Sequence, residues 1–304
     1  MKRIIGLIII NIILFVVLSL TTPYFFSKSN IVVMLDNMGY EAIILSGYTL
    51  LLIGGYFDLS IDGVVTITGI TAGLLMTSGV HWALAVLVAM VVALGVGAIN
   101  GIIVAKLKIN GLIATLTTWW ICVGFSFGLT KALSPFGFPN IFQMFGQTRL
   151  YGFRLIVVYA VVVAIVLSIV LHCTKIGSNI YVSGDNRQSA ELMGINTARL
   201  GIWLYVLIGG LSGLVGLLVA SRLNASSPFA VDGMALRVIA AAVIGGANLS
   251  GGKGSIVGGL LGLCIMGILS NSIIHLGVSP YWQKAVLGGI LLLAVLSEKI
   301  RRTE

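Results

Sequence analysis

The chain has 304 residues, is 58% hydrophobic and only 9% charged, and carries a formal net charge of +9. A soluble domain carries roughly a quarter charged residues, so this composition excludes an ordinary soluble fold and fits an integral membrane protein. Helices of about 20 apolar residues each use nearly the whole chain, which leaves no room for a soluble catalytic domain and predicts one transmembrane domain over residues 1–304.

In chain order, apolar runs predict helices at about 4–22, 33–53, 63–79, 83–105, 111–131, 153–172, 200–220, 235–248, 255–275 and 282–298. The expected fold is therefore all-α, with about ten transmembrane helices. The first run follows Lys2-Arg3 and ends Ser19-Leu20-Thr21-Thr22-Pro23 without a small-residue cleavage site, so an uncleaved first helix is expected rather than a signal peptide. The run at 235–248 is short and followed by Gly251-Gly252. A broken or re-entrant helix is expected there, because irregular backbone at membrane depth needs protein or a water-filled cavity around it.

Placing the N-terminus inside puts Lys2, Arg3, Lys106, Lys108, Lys175, Arg187, Arg199, Lys253, Lys299, Arg301 and Arg302 on the inner side. Lys28, Lys131, Arg149, Arg154, Arg222, Arg237 and Lys284 fall outside. The larger inner set has the sign of the positive-inside rule and gives N-in, C-in. The same scatter of basic residues among loops argues against nucleic-acid binding. Gly97/Gly101, Gly209/Gly213 and Gly258/Gly262 are small-xxx-small pairs that let helix backbones approach closely in lipid.

No enzyme motif survives inspection. Residues 245–255 are glycine-rich around Lys253, but Ala247 occupies the first glycine position of a phosphate loop and Gly254 follows the lysine. Cys122, Cys173 and Cys264 stand singly in apolar segments, and His81, His172 and His275 sit near the ends of apolar runs, so no metal site is expected.

Charged groups within apolar runs are functional candidates. Glu41 lies about two turns inside the second helix, and Arg237 opens the eighth in the same outer half. On a lipid face a charge costs at least ~2.5 kcal/mol, so the two are expected either to pair or to line a permeation path, unless each reaches interfacial water separately. Asp58 and Ser60 follow the second helix, Asp62 opens the third, and helix capping accounts for such residues. Thr115, Thr117 and Trp119, with Thr118 and Trp120, form a polar-aromatic patch that suits either a sugar in the pathway or helix packing.

The longest polar stretch covers 177–199. Its 188–193 segment reads as a short helix, with Gly184-Asp185-Asn186 as a turn and cap before it and Gly194 as a stop. Between two spanning helices, such a helix can dock into a soluble partner.

At these residues the chain resembles the permease subunit of bacterial ABC importers of the ribose type. Gly54 to Gly63 is similar to a signature near GGIDLSVGS, and 115–119 to one near TLGTM. Residues 177–195 resemble GxNIYAIGGNxxAAxLxGI, 239–258 resemble IAAVVIGGxxLSGGxGSxxG, and 277–283 read GVSPYWQ. The resemblance implies a multi-pass subunit of the bacterial inner membrane that works with a second permease copy or a homologous permease. A cytoplasmic ABC ATPase would bind a coupling loop at about 173–199, through Gly184, Asp185, Asn186, Ala190, Glu191, Leu192 and Gly194. A periplasmic binding protein would deliver a monosaccharide or sugar-like molecule. ATP and magnesium would belong to the ATPase, leaving this chain without a cofactor and without enzymatic activity. A branched-chain amino acid permease and a self-sufficient secondary transporter are the alternatives; Asp58-Leu59-Ser60 favours the sugar group. The chain departs from the family at Tyr56 and Asp62, which replace small residues, at Ala235 and Arg237, which replace acidic ones, and at Asp185, which replaces a glycine.

Overall fold

A computed structural model describes residues 2–275 except Phe229, together with Trp282, Ala285, Gly288 and Gly289. The expected helix at 282–298 and most of the GVSPYWQ motif lie outside the described residues.

Twelve helices carry the described fold: α1 (Lys2–Thr21), α2 (Lys28–Ile53), α3 (Ile61–Thr77), α4 (Trp82–Gly101), α5 (Gly111–Thr130), α6 (Asn140–Gln147), α7 (Leu155–Cys173), α8 (Lys175–Asp185), α9 (Arg187–Leu192), α10 (Thr197–Leu223), α11 (Met234–Gly245) and α12 (Ile256–His275). Six are long and apolar enough to cross a membrane, namely α1, α4 with the π-helical turn Ile102–Lys106, α5, α7, α10 and α12. α2 is equally long but carries Lys28, Asp36 and Glu41. An all-α membrane protein is what this arrangement makes. The expected boundaries at 4–22, 63–79 and 200–220 differ from the observed ones by a few residues. Two features were not legible in the apolar pattern: α6 with a small hairpin, β1 (Arg149–Leu150) and β2 (Phe153–Arg154), and α8, which turns the first half of the expected polar loop into an amphipathic helix.

The centre is α10 with the second half of α2, where residues 42–53 are all buried. α4 meets α10 through a stripe of small residues, Ala85, Ala89, Ala93 and Gly97, one turn apart and all buried. A Cβ at Gly97 would sit 2.5 Å from the Tyr205 carbonyl, and one at Gly209 would sit 2.6 Å from the Ala93 carbonyl. Close backbone approach of this kind lets helices associate in lipid, where apolar side chains gain little by leaving acyl chains. The Gly258/Gly262 pair packs likewise against Ala241 and Gly245 of α11. The outer faces of α1, α4, α5 and α7 leave Ile, Leu, Val and Phe exposed, as a lipid-facing surface requires.

α11 is only 12 residues long, about 18 Å at 1.5 Å per residue, against a hydrocarbon core of about 30 Å. Ahead of it, residues 224–228 and 230–233 lie outside any helix. That segment is fastened by Ser226 Oγ donating to Gly69 O (2.7 Å), Ser226 N donating to Pro135 O (2.9 Å) and Phe138 N donating to Asn224 Oδ1 (2.7 Å).

Candidate functional site

Two regions at opposite ends of the bundle bring the sequence motifs together. The first is a crossing of backbones. Gly252 N donates to Ile53 O at 2.8 Å. Gly184 presses between them so closely that a Cβ there would overlap the Ile53 carbonyl and lie 2.7 Å from Gly252 N. Gly251, at φ +91, faces the Gly184 carbonyl, and Gly55, at φ +75, faces the Gly184 Cα. The end of α2, the end of α8 and the α11–α12 turn therefore touch main chain to main chain. Tyr181 OH adds a bond to Gly254 O (2.9 Å), and burial raises the pKa of this phenol, which keeps it a donor.

α8 begins with Thr174 accepting from Gly177 N (3.3 Å). α9 begins with Asn186 Oδ1 accepting from Ser189 N (3.0 Å) and ends at Gly194, φ +81, as the sequence predicts. The candidate coupling residues then separate by role. Gly184 is in the crossing, and Asp185 packs on Gly252. Ala190 is wholly buried and seats α9 rather than presenting a surface. Glu191 Oε1 accepts from Thr197 Oγ1 (2.6 Å), tying α9 to the start of α10. Leu192 is 90% exposed and Met193 is exposed beside it. Tyr56 donates to Thr197 O (3.0 Å) and carries the Arg187 guanidinium 4.8 Å over its ring. Burial raises its pKa, with Arg187 opposing. Tyr56 thus fills the space between α9 and α10.

The 54–60 segment is held by a buried polar chain. Asp58 Oδ1 accepts from both Ser60 N and Ser60 Oγ (2.6 Å each); Asn100 Nδ2 donates to Ser60 Oγ (2.9 Å); Thr118 Oγ1 donates to Asn100 Oδ1 (2.6 Å); and Leu59 N donates to Thr115 Oγ1 (2.9 Å). Helix capping is therefore not how Ser60 is used: it stands at the N-cap of α3, but its hydroxyl makes no cap bond there. Asp62 caps a different helix instead. Its carboxylate accepts from Gly233 N (2.9 Å) and Ala235 N (2.7 Å), the free N–H groups at the start of α11. Asp62 thus ties α3 to the start of α11 at Ala235.

The second region is a cleft of about 450 Å³ at the end where α2 begins, between α2, α10, α11 and α12. Glu41 and Arg237 meet there: Arg237 Nε donates to Glu41 Oε1 at 2.6 Å, with side-chain exposures of 25% for Arg237 and 12% for Glu41. Arg222 donates to Asn37 Oδ1 (2.9 Å) and lies 5.6 Å over the Tyr40 ring. Nearby, Arg154 pairs with Asp36 (3.1 Å). Thr115, Thr117 and Trp119 do not border the cleft. Thr115 is in the polar chain around Asp58, Thr117 is exposed and bonds its own helix at Ile113 O, and Trp119 packs on Trp120 and against Gly63. Asn37, Tyr40 and Arg222 were not singled out from sequence, although the spacing of Asn37, Tyr40 and Glu41 along α2 places them on one helix face. Among the described residues no cluster of metal-ligating side chains occurs.

The profile of the family described as "Branched-chain amino acid transport system / permease component" matches residues 30–295. The ribose import permease protein RbsC of Escherichia coli K12 is 36% identical over 94% of this chain and 90% of its own length. RbsC of Bacillus subtilis is 34% identical over the same shares. The L-arabinose ABC transporter permease protein AraH of Azospirillum brasilense is 31% identical over 98% of this chain and 88% of its own length. No solved structure matches. With the matched segment covering most of the chain, and with its motifs converging in space at the 53–55, 184 and 251–252 crossing, the chain belongs to this family of transport-system permease components.

Proposed function

We propose that this chain is the membrane-spanning subunit of an ATP-driven importer for a monosaccharide. The observation that carries the reading is the main-chain crossing of Ile53, Gly184 and Gly252. A push on α8–α9 has no side chain to deform before it reaches the ends of α2 and α11. Close-packed contacts transmit displacement because interiors yield little.

In this reading a cytoplasmic ABC ATPase grips α9 by exposed Leu192 and Met193, with Glu191, Asn186 and Gly194 shaping the helix. A periplasmic binding protein delivers substrate at the opposite end, above Glu41 and Arg237. The subunit works with a second copy or a homologous permease, in a bacterial inner membrane with N-in, C-in topology and about ten spans. ATP binding drives transport by favouring one of two conformations. The sugar assignment rests on the ribose and arabinose permeases that the chain is similar to over nearly all its length, and it is preferred to a branched-chain amino acid substrate on that ground.

The test is uptake into liposomes holding this chain, its ATPase and its binding protein, with labelled D-ribose, L-arabinose and D-allose. ATP-dependent accumulation of one of them supports the reading. Flux through the chain alone, without the ATPase, overturns it in favour of a secondary transporter.

A further inference from the structure

The turn that carries Gly252 is approached from a third direction, by the start of the chain. Arg3, in the first turn of α1, donates through Nη2 to Val243 O at 3.2 Å and lies within 3.5 Å of Ile244 O. Both carbonyls belong to the last turn of α11. A helix C-terminus leaves such carbonyls short of partners and carries a partial negative charge that a cation satisfies. A glycine makes the seat. Gly246 ends α11 at φ +105, and a Cβ there would sit 2.6 Å from Arg3 Cζ and Nε. The guanidinium therefore lies where a side chain at 246 would stand.

What Arg3 holds leads into the crossing with Ile53. Ala247, next in the chain, touches Gly254, where a Cβ would lie 3.2 Å from Ala247 Cα and 2.9 Å from Ile53 Cγ1. The turn between them is closed on itself: Asn248 N donates to Lys253 O (2.9 Å) and Gly251 N donates to Asn248 O (3.0 Å). The next N–H, that of Gly252, reaches Ile53 O. A displacement at the crossing thus arrives at the end of α11 through a short turn tied by its own hydrogen bonds. α1 is placed by polar contacts as well. Asn11 Nδ2 donates to Leu261 O of α12 (3.1 Å), while Ile5, Ile8, Ile9, Ile12 and Ile13 are exposed. Apolar faces gain little by leaving lipid, so Arg3 and Asn11 carry much of the information that sets where α1 sits.

We infer that Arg3 is a positioning residue for the transport cycle. It braces the end of α11 against α1, so that a push reaching Gly252 from α8–α9 moves α11 as a body and is not lost in its last turn. A guanidinium serves this better than an ammonium, because its planar fork spans two successive carbonyls. The role rests on the importer reading for the cycle that the crossing serves.

The test compares three variants of the full chain, each reconstituted with its ATPase and binding protein. Arg3→Lys keeps the charge, and with it the positive-inside bias; Arg3→Met removes it; Asn11→Leu loosens α1 from α12 without touching α11. Two quantities are read. One is ATP hydrolysed per labelled sugar imported, with D-ribose, L-arabinose and D-allose. The other is hydrogen exchange at the Gly246 and Ala247 amides, which donate to Val243 O and Ala242 O. Arg3→Lys is expected to raise both, ATP per sugar by at least about twofold, and Arg3→Met to raise them further, while Asn11→Leu leaves exchange at 246–247 unchanged. Wild-type values of either quantity in both Arg3 variants overturn the brace. An equal rise in Asn11→Leu also overturns it, by assigning the effect to α1 as a whole. Faster exchange at 246–247 in a complex whose wild type imports none of the sugars leaves Arg3 holding α11 and sinks the importer; ATP-driven import with unaltered exchange does the reverse.

Discussion

The two ends of this molecule are built from different materials. At the α8–α9 end, glycines remove side chains so that three backbones touch. At the other end, side chains ring a cleft with two charge-bearing contacts, Arg237 to Glu41 and Arg222 to Asn37. Contact through main chain is independent of side-chain chemistry, so it suits a joint that must move the same way for any cargo. Contact through side chains can be changed one residue at a time, which suits the choice of cargo.

The largest effect is expected where that joint is filled. Gly184→Val places atoms where the Ile53 carbonyl lies, and overpacking costs about 1–3 kcal/mol. ATP-driven uptake should fall at least tenfold as the contact opens, read in proteoliposomes. Gly194→Ala is the control for backbone strain alone: its φ is +81 but a Cβ there meets nothing, so it should cost about 1 kcal/mol and spare most uptake. Equal losses in both would remove the distinction between joint and loop.

Next, Arg237→Met leaves Glu41 without its partner, at a cost of about 2 kcal/mol for a charged hydrogen bond. The thermal midpoint should drop, and the Glu41→Arg/Arg237→Glu exchange should recover part of the loss. An exchange no better than either single variant breaks the pair.

Asp62→Ala removes the acceptor for the first N–H groups of α11. A lost cap costs about 1 kcal/mol. Hydrogen exchange should rise at 233–235 before it rises in α10, and uniform exchange would show that α11 does not open on its own. Smallest in stability is Leu192→Ser. The side chain is 90% exposed, so folding should change within about 0.5 kcal/mol, while coupling of ATP hydrolysis to uptake should fall. Unchanged coupling removes α9 as the ATPase contact.

The sequence alone determined the membrane class, the positions of the main apolar helices, the short helix read at 188–193 and observed at Arg187–Leu192 between its 184–186 cap and Gly194, and the small-xxx-small glycine pairs, because each follows from composition or from contacts within a turn or two of chain. It named Glu41 and Arg237 because a charge inside an apolar run must be satisfied. It did not disclose that Asp62 caps α11, that Ser60 bonds Asp58 instead of its own helix, or that Thr115 braces the 54–60 segment. Those partners lie from 2 to 173 residues apart in the chain, and an acid, a hydroxyl or a glycine reads the same in sequence whether its partner is its own helix or another. The tertiary structure decided these pairings, because buried polar atoms take whatever complementary group the packing brings within hydrogen-bond reach. It likewise decided that the glycines of three separate motifs meet at one crossing, since close approach is a property of the assembled backbones and not of any one segment.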